Sequence, residues 1–410
     1  MRRIFLAFAL ALFLGFLPAQ EYKTYFQGYY ALGDSLTAGF QDGGLVDYYQ
    51  RVSFPALLAK NAGVDNFALP LISPPGIPPL LQLFVSSSGQ VYVAPCSSSY
   101  GVPENLYYNG IYNNLGVPGA TTHDMVATIS DGGFHDIILR GLGTQLQLGV
   151  AANPKLITLW IGNNDVLGAV LHGKVVEGQT ITPLNQFTAN MTTIVGALAT
   201  HTGAKIVMVS IPKVDLIPFT TYIKPYIEVQ GQKVYLIGPK GTLTDQDRVL
   251  LTAQEYLAQG YGIPKQLGGN GQPLPDEVVL DSHERAVIEE RVSQFNSVIS
   301  QLASQFNIPV LDINELLEKA SSEGIVVGGV RLTSQYLTGG IFSLDGVHPS
   351  TIGYALVANE LIKLMNESFG WNMPLIDISQ FLWSSPRTPS GSKLGSTAVK
   401  SMVKALSKRK

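Results

Sequence analysis

The stretch that decides the fold is residues 29–39, Tyr-Tyr-Ala-Leu-Gly-Asp-Ser-Leu-Thr-Ala-Gly. Residues 29–36 have the apolar character of a buried strand that runs into a turn, and Gly33 permits a tight exit from it. Ser35 then stands just past the carboxyl end of the strand, where open α/β sheets bind their ligands. Gly-Asp-Ser-Leu is also typical of an ordinary turn, so this segment alone does not decide whether Ser35 has a functional role. The rest of the chain must decide it.

Three later apolar runs predict further strands of the same sheet. They are residues 155–161, 204–211 and 308–313. Continuous apolar runs of this kind are typical of parallel strands that are covered on both faces.

Helices are predicted between these runs from their N-terminal signals. One over residues 184–201 follows Thr182-Pro183, an N-cap with proline at the first helical position. Another begins at Asp281, with Glu284 as its capping-box partner, and a last one begins at Ser350. The alternation predicts an α/β fold with three layers, α/β/α, around a parallel sheet.

Two stretches are too long to be plain connections in such a domain. Residues 71–112 are rich in Pro, Ser and Tyr, and residues 215–278 contain a predicted hairpin that turns at Gly231-Gln232. We interpret both as insertions with structure of their own. They form either a lid or rim of a binding site, or surface decoration without a role in binding.

The first 19 residues are expected to be a signal peptide. Arg2 and Arg3 precede an apolar stretch over residues 4–17, and Ala19 offers a small residue for cleavage. The stretch is short for a membrane span, although an uncleaved anchor is the alternative. We therefore expect an exported protein, periplasmic or extracellular, with a domain over residues 20–383 and a tail over residues 384–410.

Charge separates the tail from the body of the chain. The whole sequence has 27 basic and 30 acidic residues. Setting aside the two N-terminal arginines and the seven basic residues of the tail leaves 18 basic residues against 30 acidic ones. An acidic body excludes nucleic acid as a partner. The basic tail is either a solvated segment or an amphipathic helix in peripheral contact with an anionic membrane surface.

Cys96 is the single cysteine of the sequence. An intramolecular disulfide and a cysteine-based metal site are therefore both excluded.

His348 is the best-defined candidate base of the six histidines. It stands in Asp345-Gly346-Val347-His348-Pro349, just before the last predicted helix. A carboxylate three residues earlier can fold back onto the imidazole, fix its tautomer and stabilise the imidazolium. Pro349 keeps His348 extended and outside the following helix. A capping loop with a surface histidine is the alternative.

Two loops offer hydrogen-bond donors for an oxyanion. Residues 114–120 form a glycine-bearing loop before a predicted helix, and such a loop can leave a backbone N–H free. Residues 162–165, Gly-Asn-Asn-Asp, follow a predicted strand, and a side-chain amide there can also donate.

Taken together and in this order, the four segments resemble the blocks of the GDSL, or SGNH, hydrolase family, over residues 29 to about 370. The resemblance implies a flavodoxin-like sheet, with Ser35 as the nucleophile of a triad with His348 and Asp345. It also implies an oxyanion hole formed by the N–H groups of Ser35 and Gly119 and the amide of Asn164.

The implied activity is that of an exported serine esterase or lipase, acting on small-molecule or lipid esters without a metal or cofactor. The same catalytic set also suits a carbohydrate O-acetylesterase. From another class, a secreted binding module that retains the fold without turnover is the alternative. An α/β-hydrolase lipase is disfavoured because the sequence contains no Gly-x-Ser-x-Gly.

Overall fold

A computed structural model describes residues 21–382, apart from Ser88 and Gln90. The predicted signal peptide of residues 1–19 and the tail of residues 384–410 lie outside the described residues. Within the described part of the chain, no helix is long and apolar enough to cross a membrane.

The centre of the fold is a five-stranded parallel sheet. Its strands are β1 (Tyr29–Gly33), β2 (Asn114–Gly116), β3 (Leu156–Trp160), β4 (Lys205–Val209) and β5 (Val310–Leu311). The spatial order is β5-β4-β3-β1-β2, which is the flavodoxin-like order read from the other edge. The predicted fold class is confirmed. The predicted first strand was too long, since β1 ends at Gly33, and the short edge strand β2 was not predicted.

Helices occupy the connections between the strands. The main ones are α1 (Ser35–Ala38), α2 (Phe54–Asn61), α3 (Thr122–Ala127), α4 (Gln145–Ala151), α5 (Asn164–Leu171), α6 (Leu184–His201), α7 (Ser282–Gln305), α8 (Ile313–Ser322) and α9 (Thr351–Phe369). Shorter helices span Glu21–Phe26, Asp47–Gln50, Phe134–Ile138, Pro218–Thr221 and Gln254–Ala258. Single 3₁₀ turns span Leu251–Ala253, Lys265–Leu267, Asp276–Val278 and Ile378–Phe381.

Most of the predicted helix starts are confirmed. The Asp281 side chain accepts from the N–H of Glu284 in a complete capping box at α7, and Ser350 caps α9. Helix α6 has the predicted bounds, but its N-cap is Pro183 and has no side-chain hydrogen bond. The predicted cap at Thr182 is therefore wrong by one position, because Pro183 has not yet adopted helical backbone angles.

Alternate strand side chains enter two separate cores, one on each face of the sheet. Leu32 and Ile157 pack with helices α3 to α7. Ala31 and Trp160 pack with α2, α8 and α9. All five residues of β3 are buried, as expected of a strand with helices on both sides.

Both predicted insertions contain regular structure. Residues 71–112 include the antiparallel pair Leu81–Val85 and Val91–Pro95. Residues 215–278 include the predicted hairpin, Tyr226–Val229 with Gln232–Tyr235. Its turn lies at Gln230-Gly231, where both residues have positive φ, and not at Gly231-Gln232, because a two-residue hairpin loop takes both central residues into that region. Further short antiparallel pairs are Ile237–Gly238 with Gly241–Thr242, Arg248–Val249 with Val279–Leu280, and Ile325–Val327 with Val330–Leu332.

The exit of β1 leaves no room for a side chain at Gly33. A Cβ added there would lie 2.2 Å from the hydroxyl of Thr37 and 2.2 Å from the carbonyl oxygen of Trp160. We predict that Gly33→Ala lowers the free energy of unfolding by about 1–3 kcal/mol, the usual cost of overpacking. Urea denaturation measures the change.

The matched control for this prediction is Gly196→Ala in helix α6. Apart from the backbone of its own helix and its chain neighbours, no atom of the described residues lies within 4 Å of a Cβ added at Gly196, so alanine there is expected to stabilise the helix by about 0.5–1 kcal/mol. Equal effects of the two substitutions would contradict the steric argument for Gly33.

Candidate active site

Ser35 is the first residue of α1, directly after β1. Asp34 caps the helix, and its carboxylate accepts from the N–H of Leu36 at 3.0 Å. The strand order reverses between β1 and β3, so Ser35 lies at the topological switch point, where sheets of this type bind ligands. Only 7% of the Ser35 surface is exposed, and a ligand must therefore approach through a defined opening.

The loop before α9 brings His348 to this serine. The imidazole Nε2 lies 2.9 Å from the Ser35 Oγ, although 313 residues separate them in sequence. The ring of Phe40 packs against the imidazole with 4.7 Å between ring centres. The predicted pair is thus brought into hydrogen-bond contact, and the imidazole also packs against Phe40.

Asp345 completes the contact chain and is itself held by four hydrogen bonds. Its Oδ2 lies 3.0 Å from the Nδ1 of His348 and accepts from the N–H of Gly43 at 2.9 Å. Its Oδ1 accepts from the N–H groups of Val347 and His348, both at 2.8 Å. Burial alone raises the pKa of Asp345, but the charge of His348 and these hydrogen bonds outweigh it and lower the pKa to about 2.

A tight turn at Asp42-Gly43 fixes the loop that carries Asp345. Both turn residues have positive φ, 52° and 75°. The Asp42 carboxylate accepts from the N–H of Leu344 at 2.8 Å and from the hydroxyl of Tyr49. The N–H of Asp42 donates to the Ser343 hydroxyl at 3.1 Å. Sequence reasoning missed this turn, although Asp-Gly is a strong signal for such a geometry.

The three predicted oxyanion donors lie at the ends of neighbouring strands. Ser35 follows β1, Gly119 follows β2 and Asn164 follows β3. Within the described residues, no acceptor is hydrogen-bonded to the backbone N–H of Ser35 or of Gly119. The Asn164 amide donates to the carbonyl of Ala120 at 2.9 Å, which joins the start of α5 to the Gly119 loop. An amide nitrogen carries two hydrogens, so one remains for a ligand.

Buried polar residues between these segments were not predicted as functional. The Asn163 amide donates to Asp34 at 2.7 Å and so joins the end of β3 to the start of α1. Asp165 accepts from the N–H and hydroxyl of Thr122 at 2.8 and 2.7 Å, which joins α5 to α3. Burial raises the pKa of Asp34 and of Asp165 to about 6 each. The only signal in the sequence was their position inside the same short motifs.

His135 and Asp131 form a second histidine–aspartate pair, but no serine completes it among the described residues. The Nδ1 of His135 lies 2.7 Å from Asp131, but its buried Nε2 has no hydrogen-bond partner among the described residues. The other four histidines, His123, His172, His201 and His283, are exposed.

Among the described residues, no group of three or more His, Cys, Asp or Glu is placed to hold a metal ion.

An apolar cavity opens beside Ser35 and His348. Its walls come from the end of β3, from helices α8 and α9 and from the segment after β4. Ser35 and His348 therefore line a largely apolar space.

Comparison with known proteins identifies the family. Residues 29–361 match the family of GDSL-like lipases/acylhydrolases. No curated protein sequence matches the chain.

Solved structures similar to the chain have low sequence identity to it. An extracellular lipase from Streptomyces rimosus is 15% identical and aligns over 82% of this chain and 98% of its own, with a TM-score of 0.37. A lipase/acylhydrolase from Enterococcus faecalis is 13% identical over 85% of this chain and 98% of its own, with a TM-score of 0.36. A catalytic mutant of an acetylxylan esterase from Geobacillus stearothermophilus is 12% identical over 84% of this chain and 94% of its own, with a TM-score of 0.38.

The family match covers most of the chain and includes every segment that forms the site. The protein therefore belongs to the GDSL-like lipase/acylhydrolase family and is an ester-hydrolysing enzyme.

Proposed function

We propose that the protein is an exported serine esterase that cleaves carboxylic esters of acyl or lipid type, with Ser35 as nucleophile and His348 and Asp345 as its triad partners. The observation that carries the proposal is the continuous contact chain from the Ser35 Oγ through both imidazole nitrogens to the Asp345 carboxylate, with links of 2.9 and 3.0 Å. This is the geometry that activates a serine hydroxyl.

In the first step His348 takes the Ser35 proton through Nε2 while the Ser35 Oγ attacks the ester carbonyl carbon. Asp345 remains ionised at neutral pH because its pKa is about 2. The carboxylate therefore holds Nδ1–H in place and stabilises the imidazolium that forms.

The carbonyl oxygen becomes an oxyanion that accepts hydrogen bonds from the Ser35 and Gly119 N–H groups and the Asn164 amide. Donors of this kind contribute about 3–4 kcal/mol each to stabilising the transition state. His348 then gives its proton to the leaving alcohol, and the C–O bond to the alcohol breaks. Water repeats the sequence on the acyl-enzyme, releasing the acid and restoring the Ser35 hydroxyl.

Substitution of the nucleophile tests the proposal. We expect Ser35→Ala to lower kcat for p-nitrophenyl esters by about 10⁴–10⁶-fold and to abolish labelling by a fluorophosphonate probe, because no hydroxyl remains to attack. The control is Ser300→Ala on the exposed face of α7, which should retain both. Persistent labelling of the Ser35→Ala protein would rule out Ser35 as the nucleophile.

The low pKa of Asp345 predicts a pH dependence. The usual pKa of an unfolded Asp is about 3.9, and the folded value is about 2, so the unfolded state binds the proton more readily. The stabilisation from ionised Asp345 is therefore fully present above about pH 4 and is lost as the pH falls toward 2.

We expect the difference in free energy of unfolding between the wild type and Asp345→Asn to be constant from pH 7 to about pH 5 and to shrink by pH 3. Urea denaturation at these pH values measures it, with exposed Asp65→Asn as control. A difference that stays constant down to pH 3 would contradict the depressed pKa. The same Asp345→Asn variant should lose about 10⁴-fold in kcat at pH 7, since the histidine tautomer is no longer fixed.

Export is proposed from the sequence of residues 1–19 alone. N-terminal sequencing of the protein released by an expressing cell tests it. We expect the mature chain to start at Gln20. A protein that retains Met1 and sediments with membranes would instead support an uncleaved anchor.

A further inference from the structure

The cavity beside Ser35 continues away from the reacting atoms between helices α8 and α9. On α8 its lining residues are Ile313, Leu316, Leu317 and Ala320, which share one face of the helix at i, i+3, i+4 and i+7. On α9 they include Leu356 and Val357. Ser35 and His348 both line this cavity.

The polarity of the lining changes along the cavity. Its polar lining side chains are Ser35, Asn163 and His348, all from the proposed catalytic segments, and its other lining residues are apolar. Trp160, 2% exposed, belongs to this apolar wall at the end of β3. Water in such a space would find few hydrogen-bond partners, whereas a hydrocarbon chain would lose none.

The size of the cavity sets the length of chain that fits. Ile313 and Ala320 are seven residues apart on one helix face, which corresponds to about 10 Å along the axis of α8. The cavity volume is about 90 Å³. An extended hydrocarbon chain advances about 1.2 Å per bond, so a length of about 10 Å accommodates roughly eight carbons.

Building on the proposed role of Ser35, we propose that this cavity is the acyl site and that the enzyme prefers esters of medium-chain acids, of roughly six to ten carbons. The carbonyl carbon lies at Ser35, and the hydrocarbon extends between α8 and α9 toward Ala320. An acetyl group would leave the apolar wall uncovered. A chain much longer than the cavity would have to leave part of its length outside.

The test is a series of p-nitrophenyl esters from acetate to palmitate, each below its micellar concentration. We expect kcat/KM to rise by about fourfold for each methylene that enters the cavity. The maximum should fall at octanoate or decanoate, and palmitate should be poorer than either. A second series with the chain on the alcohol, alkyl acetates of the same lengths, should show a much weaker dependence.

Two variants and one control locate the site. Ala320→Leu adds volume about two turns along α8 from Ile313 and should lower the octanoate-to-acetate ratio of kcat/KM by at least about tenfold. Leu317→Ala enlarges the cavity and should move the maximum to longer chains. Lys319→Ala lies on the exposed face of α8 and should leave the profile as in the wild type. Circular dichroism and the urea midpoint check that each variant is folded.

The outcomes separate the two proposals. If neither hydrolysis nor fluorophosphonate labelling of Ser35 is observed, the proposed function itself fails. If both are observed but acetate is the best substrate, the medium-chain acyl site is wrong while the esterase stands. The acyl site is also wrong if the ratio is unchanged in both cavity variants, or if they alter the alkyl acetate series instead.

Discussion

The arrangement of the site depends on the hydrogen bonds to one carboxylate, that of Asp345. It accepts from the imidazole of His348 and from three backbone N–H groups, one of them in the Asp42-Gly43 turn far away in sequence. Charge-assisted hydrogen bonds are stronger than neutral ones. This carboxylate therefore both orients the histidine and fastens the last loop of the domain to the segment that follows the first strand.

Three aspartates in one region, of which Asp34 and Asp165 are buried and Asp345 is 13% exposed, illustrate how surroundings decide what a carboxyl group does. Asp345 faces an imidazole and several N–H donors, so its pKa falls to about 2. Among the described residues, Asp34 and Asp165 have amide and hydroxyl donors but no cation in hydrogen-bond contact, and burial raises their pKa to about 6. The first is thereby suited to stabilising a positive charge. The hydrogen bonds of the other two join the end of β3 to the start of α1, and α5 to α3. They thereby fix the positions of the segments that carry Ser35 and Asn164.

Much of the fold and the grouping of the candidate residues could be predicted, because both follow from local patterns. The apolar run that became β3 is buried on both faces, and the short motifs at strand ends meet at one edge of a parallel sheet. The edge strand Asn114–Gly116 was missed because three residues give no periodic pattern. The hydrogen bond from the Asp42-Gly43 turn to Asp345 was missed because the two segments are 302 residues apart. No local sequence pattern carries information over that separation. The cavity depends on how α8 packs beside α9, which helix periodicity alone does not fix.

The link between Ser35 and His348 spans 313 positions of the sequence. Closing so long a loop costs entropy before any contact is gained, so such contacts form late in folding. During synthesis the ribosome adds Ser35 long before it adds His348. An unfinished or unfolded chain therefore lacks the contact between Ser35 and His348, which forms only when the two ends of the domain have met. For the exported esterase proposed above, that order of events leaves the nucleophile without its base until the last loop of the domain has been made.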